Sequence, residues 1–431
     1  MAKGRFEKTG TRFLLYPQAP FLEGFSEPEV VTISSPVGSL GPGPQDERMY
    51  TVYPVGKPTH YGQHQTERGD SVLFLPPWTD EIYDPPEPGP DGHFDHLEPG
   101  TKQFEAAHVF ASARFTLDVW EGYFDRQIPW HFREDYDRLE ISLIPKVDNA
   151  FMGWGFLETG ALYVDGNYRP FALNFDVVAH EIGHGIIYSE VGMPSRTEEN
   201  PEYYGFHESA ADLVALVAAL HFNSVVDTVL GNTRGNLYTM NKLSRFAETS
   251  PNGQIRLAAN DHVLSEFAEG WDSEHKLSQP LTGAMFDILV DVFHENLLEQ
   301  GLIPPEMEDL SDKLEGSDDY SDIMQERFDH FYAQNPEGFR EALLLARDYL
   351  GTYLADAWIM LTTETLSYKG VGEALLEIDN FITGGRYQTI IRNNFLSRDI
   401  GRVVAGPRVA KPDKTSHAFS DRTLSPRDFQ R

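Results

Sequence analysis

A chain of 431 residues, 40% hydrophobic and 24% charged, is long enough for two or three packed lobes and has the composition of a folded protein, not a disordered one. Its formal net charge of -32 repels phosphate backbones and anionic lipid surfaces, which argues against nucleic acid and membrane-surface partners. With no cysteine, disulfides and thiolate ligands are excluded, so any bound metal must be held by His, Asp or Glu.

The first twenty residues are basic, with only a short apolar patch from Phe13 to Tyr16. This falls short of a Sec signal core, so Sec export is not expected and the compartment stays open between the cytoplasm and a non-Sec route. Residues 1–100 form a Pro/Gly-rich region of unknown role, expected to be strand and loop, with β-like runs at Met49–Val55 and Ser71–Leu75. From 103 to 125 the apolar spacing is helical, and Arg138–Ile144 alternates like a strand. Long amphipathic helices are predicted near 176–190, 207–222, 237–248, 280–299, 337–366 and 371–382. The most apolar of these, 341–362, is interrupted by Arg347, Asp348 and Asp356 and reads as a core helix, so no membrane span is expected. Residues 404–431 are polar and aperiodic and read as a tail.

The segment Asp176–Ile187, DVVAHEIGHGII, carries the chemistry. His180 and His184 stand one helical turn apart, so both imidazoles project from one face and can share a metal. Glu181 follows the first of them, where a carboxylate can take a proton from metal-activated water. A catalytic zinc takes three protein ligands and keeps one position open. Glu208, on the helical run His207–Leu220, is the candidate third ligand, and Asp212 one turn further can accept the second ring proton of a ligand histidine.

This pattern resembles the thermolysin-like gluzincins, the thermolysin family and its fungalysin-like relatives, in which HExxH is followed by a helix carrying Asn-Glu-x-x-x-Asp, here His207-Glu208-Ser-Ala-Ala-Asp212. Asp148-Asn149-Ala150-Phe151, Tyr163 and Asp165-Gly166 precede the motif in the family's order. The resemblance implies an α+β, two-lobed metallopeptidase with a strand-rich N-terminal half, a mainly helical C-terminal half and the active-site helix between them. The corresponding segments are 101–190 for the N-terminal catalytic lobe and 191–403 for the C-terminal one. It also implies that Asn149 and Ala150 lie on an edge strand that holds the substrate main chain. Arg256 would bind a substrate carbonyl, Val177 and Ile255 would line an apolar pocket, and His275 would stabilise the oxyanion.

Three departures stand out. His207 replaces the family's asparagine, with packing as its expected role. The oxyanion tyrosine has no match by spacing, since Ser195 stands at the counted position, so Tyr203 or Tyr204 is the candidate substitute. Asp176 remains where the family's paired calcium site begins, but Ala219 replaces its later glutamate, so that double site is expected to be lost. The reading is therefore a one-zinc endopeptidase cleaving peptide or protein substrates before apolar residues. A catalytically silent binding module and a zinc aminopeptidase are the alternatives, and the natural substrate and oligomeric state stay undetermined.

Overall fold

The computed structural model describes residues 10–65, 69–164, 166–194, 200–237, 245–250, 253–268, 270–314, 320–364 and 366–401. These form a mixed α+β fold and divide into two compact units. One comprises the described residues between 10 and 193, with 247–250 and 253; the other comprises those between 194 and 246 and between 254 and 401.

The N-terminal unit is built around α1 (Lys102–Phe124), which starts where the Thr101 side chain accepts a hydrogen bond from Phe104 N and ends where Asp125 turns left-handed at φ 55°. Apolar residues cover more than one face of this helix, and it is buried along nearly its whole length. It packs on the antiparallel hairpin β1 (Gly10–Leu15)–β2 (Glu29–Pro36) and on two strands of a four-stranded sheet. That sheet has the order β3 (Met49–Val52), β6 (Leu139–Leu143), β8 (Phe156–Thr159), β7 (Ala150–Met152). The first three strands are parallel, β7 runs antiparallel to β8, and β7 is an edge. Both central strands, β6 and β8, are wholly buried. The Pro/Gly-rich region before residue 100 thus supplies a strand of this sheet and, further along, the hairpin β4 (Gly62–Gln65)–β5 (Ser71–Phe74).

What fixes the stretch around β4 and β5 to the sheet is a buried charge network. Glu140 and Glu158 project from β6 and β8 with no exposure. Lys57 Nζ lies 2.5 Å from Glu158 Oε1 and 3.0 Å from the centre of the Tyr61 ring, while Tyr61 N donates to the other oxygen of Glu158 at 2.6 Å. Glu140 accepts from the hydroxyls of Tyr61 and Tyr50, each at 2.7 Å, and from Trp78 N at 2.9 Å. Burial pushes the Glu158 carboxyl up to about 7 and the Lys57 ammonium down, and each partner's charge offsets part of that cost for the other.

A second hairpin, β9 (Ala161–Val164)–β10 (Asn167–Pro170), leads through a tight turn at Phe171–Leu173 into α2 (Phe175–Glu190). Gly160, between β8 and β9, has no alternative: a Cβ there would lie 1.8 Å from the carbonyl oxygen of Val147.

The C-terminal unit is mainly helical. Its helices are α3 (Pro201–Ala219), α4 (Asn223–Thr233), α5 (Glu274–Glu299), α6 (Glu306–Leu314), α7 (Tyr320–Gln334), α8 (Pro336–Met360), α9 (Tyr368–Thr383) and α10 (Gln388–Ser397). Helix α5 packs on α3, α8 and α10, and α8 on α9. Pro201 and Pro336 occupy first-turn positions, where the missing N–H costs nothing. In place of the expected helix at 237–248, Leu237 lies in a turn and 245–248 belong to β11 (Arg245–Ser250), which pairs with β12 (Gly253–Leu257), while 238–244 lie outside the described residues. Asn252-Gly253, a dipeptide suited to hairpin turns, carried that signal in the sequence. Helix α5 starts at Glu274, not at 280, and runs through Pro280, while α8 ends at Met360, short of Thr362 and Thr363, whose branched β-carbons disfavour helix. No single helix among the described residues is long and apolar enough to cross a membrane. The predicted tail, 404–431, lies outside the described residues.

Lys57→Met leaves Glu158 buried without its cation and is expected to cost up to about 3–5 kcal/mol at alkaline pH, where the carboxylate is ionised. A carboxyl raised to about 7 in the folded protein, from 4.5 otherwise, binds its proton more tightly when folded. Without Lys57 that carboxyl is raised further still, so the loss should be largest above about 7, where the intact protein carries the carboxylate, and shrink as pH falls through about 7, where both proteins carry the neutral acid. Urea melts of both proteins at a series of pH values measure the difference; a loss independent of pH contradicts the assignment.

Candidate metal centre

Helix α2 begins at Asn174, which has extended backbone and whose side chain caps Val177 N, and it is buried from Phe175 to Tyr188. Its first turn carries Asp176, an acidic residue favoured by the helix dipole. Asp176 Oδ1 accepts a hydrogen bond from Gln18 Nε2 at 2.9 Å, which ties the helix to the segment after β1. The entry into α2 is held by a second polar contact from α1. His108 Nδ1 donates to Ala172 O at 2.7 Å, and its Nε2 accepts from Tyr16 N at 3.0 Å. One carbonyl and one amide thereby fix the neutral tautomer, and burial lowers the His108 pKa to about 4.

On this helix His180, Glu181 and His184 come together as the spacing predicts. One nitrogen or oxygen from each lies within 4.8 Å of the others, and all three side chains are buried. The two imidazole centroids are 4.5 Å apart with the rings near perpendicular at 84°. Two imidazoles and a carboxylate form a borderline donor set that suits zinc and its neighbours better than calcium or magnesium. These residues fit a metal, with the histidines as natural ligands and the carboxylate between them in reach.

Helix α2 packs on the edge strand β7. A side chain at Gly185 would meet Met152 of β7 at 2.4 Å and Trp130 at 3.4 Å, so the glycine beside the second histidine sets how closely the strand approaches. Ala150 and Val177 share a small apolar cluster with Phe171, and both are nearly closed to solvent. Asn149 precedes β7, is exposed, and turns its side-chain oxygen onto Ala150 N at 2.9 Å.

The remaining predicted residues belong to the C-terminal unit. Glu208 and Asp212 are buried one turn apart on α3. The first turn of α3 is fastened to the start of α9, since Glu202 accepts from Tyr368 N at 2.6 Å and Asn200 Nδ2 donates to Leu366 O at 2.8 Å. His275, in the first turn of α5, places Nδ1 2.7 Å from Glu208 Oε2, with the histidine half exposed and the carboxylate buried. This partnership within one unit was not foreseen from the sequence, which gave His275 only a substrate-facing role. His207 is buried and stacks on Tyr203, with centroids 5.8 Å apart and planes at 16°; Tyr203 is buried and Tyr204 half-buried. Ile255 and Arg256 fall on β12; their side chains, Ser195 and Asp165 lie outside the described residues.

No known protein family matches the sequence, and no curated protein resembles it closely enough to align. Among solved structures, the precursor of protealysin, a metalloproteinase from Serratia proteamaculans, aligns over 73% of this chain and 84% of its own, with 12% identity and a TM-score of 0.38.

His108 supplies a test of how α2 is positioned. Its folded pKa of about 4 lies below the ordinary 6.5, so the unfolded chain takes up a proton that the folded protein refuses. Stability is complete above 6.5 and should decline as pH falls toward 4, by about 3 kcal/mol in total. Denaturant melts of the protein and of His108→Gln across that range should diverge in slope; parallel curves contradict the role.

Proposed function

We propose that this protein is a zinc-dependent endopeptidase of the thermolysin-like gluzincin type. The observation that carries the reading is the buried convergence of His180, Glu181 and His184 on a helix that packs against a sheet edge. His180 and His184 would hold the ion. From the sequence spacing, Glu208 is proposed as the third ligand, with Asp212 orienting a ligand histidine. When bound, zinc supplies Lewis acidity and lowers the pKa of coordinated water. No calcium pair is proposed.

The protein's own groups perform the rest. Glu181 accepts the proton of the attacking water and delivers it to the leaving amine. An edge strand has backbone groups able to pair with an extended peptide, so β7, with Ala150 at its start and Asn149 just before it, is proposed to align the substrate main chain. His275 is proposed to donate to the developing oxyanion, assisted by Tyr203 or Tyr204, and Arg256 to bind a substrate carbonyl. The carboxylate of Glu208 can orient the His275 ring for this purpose through Nδ1. Val177 and Ile255 are proposed to favour an apolar residue on the leaving-group side.

The decisive comparison is between the zinc-loaded protein and Glu181→Gln on peptides blocked at both ends. Cleavage before apolar residues should fall about a hundred- to ten-thousand-fold in the variant, while its zinc content is unchanged. Negligible hydrolysis by both proteins would instead identify a silent binding module, and cleavage confined to free amino termini an aminopeptidase.

A further inference from the structure

A second pair of histidines lies well away in sequence from the HExxH segment. His60 precedes β4 and His64 is on it, four residues apart, with ring centroids 4.7 Å apart and planes tilted by 56°. The separation is close to the 4.5 Å between His180 and His184. His60 also stacks on Phe151 of the edge strand β7, at 4.5 Å and 30°, which holds its ring in place. Both histidines are half-buried.

Their hydrogen bonds define the protons. His60 Nδ1 lies 2.5 Å from Tyr61 O, and His64 Nε2 lies 2.8 Å from His60 O. A carbonyl oxygen can only accept, so each of these nitrogens carries the hydrogen of its ring. The lone pairs are left on Nε2 of His60 and Nδ1 of His64. A backbone carbonyl that fixes the tautomer and raises the basicity of the other nitrogen is the arrangement usual for metal-binding imidazoles. The nearby cation, Lys57, is engaged by Glu158.

We propose that His60 and His64 form a second transition-metal site, in which Nε2 of His60 and Nδ1 of His64 bind one borderline divalent ion such as zinc, nickel or copper, with water completing its coordination. Two neutral imidazoles without a carboxylate select such ions over calcium and magnesium. The site also clips the start of the β4–β5 hairpin beside the sheet edge, through the contact of His60 with Phe151.

The test uses the full chain carrying Glu181→Gln, which keeps His180 and His184 and prevents self-digestion, titrated with zinc and separately with nickel. Two equivalents are expected. His60→Asn retains a donor for the Tyr61 carbonyl but loses the Nε2 lone pair, and His64→Gln retains a donor for the His60 carbonyl but loses Nδ1. Each should remove one equivalent of either metal while leaving the circular dichroism spectrum unchanged. Stoichiometry unaffected by both substitutions overturns the proposal. Should the HExxH residues bind nothing, the starting value is one equivalent, and it still disappears in both variants; the two sites therefore succeed or fail separately.

Discussion

Nearly every side chain of α2 is removed from water, and this burial is the constraint on which the candidate centre depends. Polar groups placed in such surroundings lose solvation worth a few kcal/mol each unless something replaces it. The imidazoles and carboxylate of His180, Glu181 and His184 are therefore held where an ion interacts strongly and where geometry, once set, is not blurred by solvent. The support is itself polar: His108 from α1 grips the turn before the helix, and Gln18 grips Asp176 in its first turn. His108 is satisfied at both ring nitrogens, so it positions the helix without leaving an orphaned ring atom.

The same logic explains how an unpromising N-terminal segment becomes part of the scaffold. Its proline and glycine content argues for loops, and most of its elements are short. Yet β3 extends the sheet alongside β6, and Lys57, Tyr61 and Trp78 meet two carboxylates that the central strands would otherwise bury alone. A buried pair of this kind adds little net stability over an apolar alternative, but removing one partner is costly. Its effect is to specify where the segment lies. The hairpin that carries His60 and His64 is consequently set beside Phe151 on the sheet edge.

In the other unit, α3 is held by α5 and by the start of α9. A side chain at Gly205 would fall 2.1 Å from the Tyr368 hydroxyl, which is already committed to Leu277 O. Close helix packing thus fixes the face of α3 that bears Glu208 and Asp212. His275 arrives at Glu208 because α5 starts at Glu274, a turn and a half before Pro280.

Local rules made much of this readable from residues alone. A spacing of four on a helix places two side chains on one face whatever the surroundings, so the grouping of His180 and His184, with Glu181 beside the first, followed from sequence, as did the helical character of α1, α2, α3, α5, α8 and α9, while α4, α6, α7 and α10 did not. Alternation likewise located β6, and the run at Met49 located β3. Other features depend on partners distant in the chain. The strand at 245–250 differs from the helix expected there because its short, mixed sequence does not reveal its pairing partner, and α5 starts earlier than Pro280 suggests, proline being common at helix beginnings. That His275 bonds Glu208 and that His60 lies against Phe151 are matters of which segments pack together. Sequence determined which groups could do chemistry and how they are spaced along a helix; tertiary structure decided which are buried and what they touch, because those contacts join residues tens of positions apart.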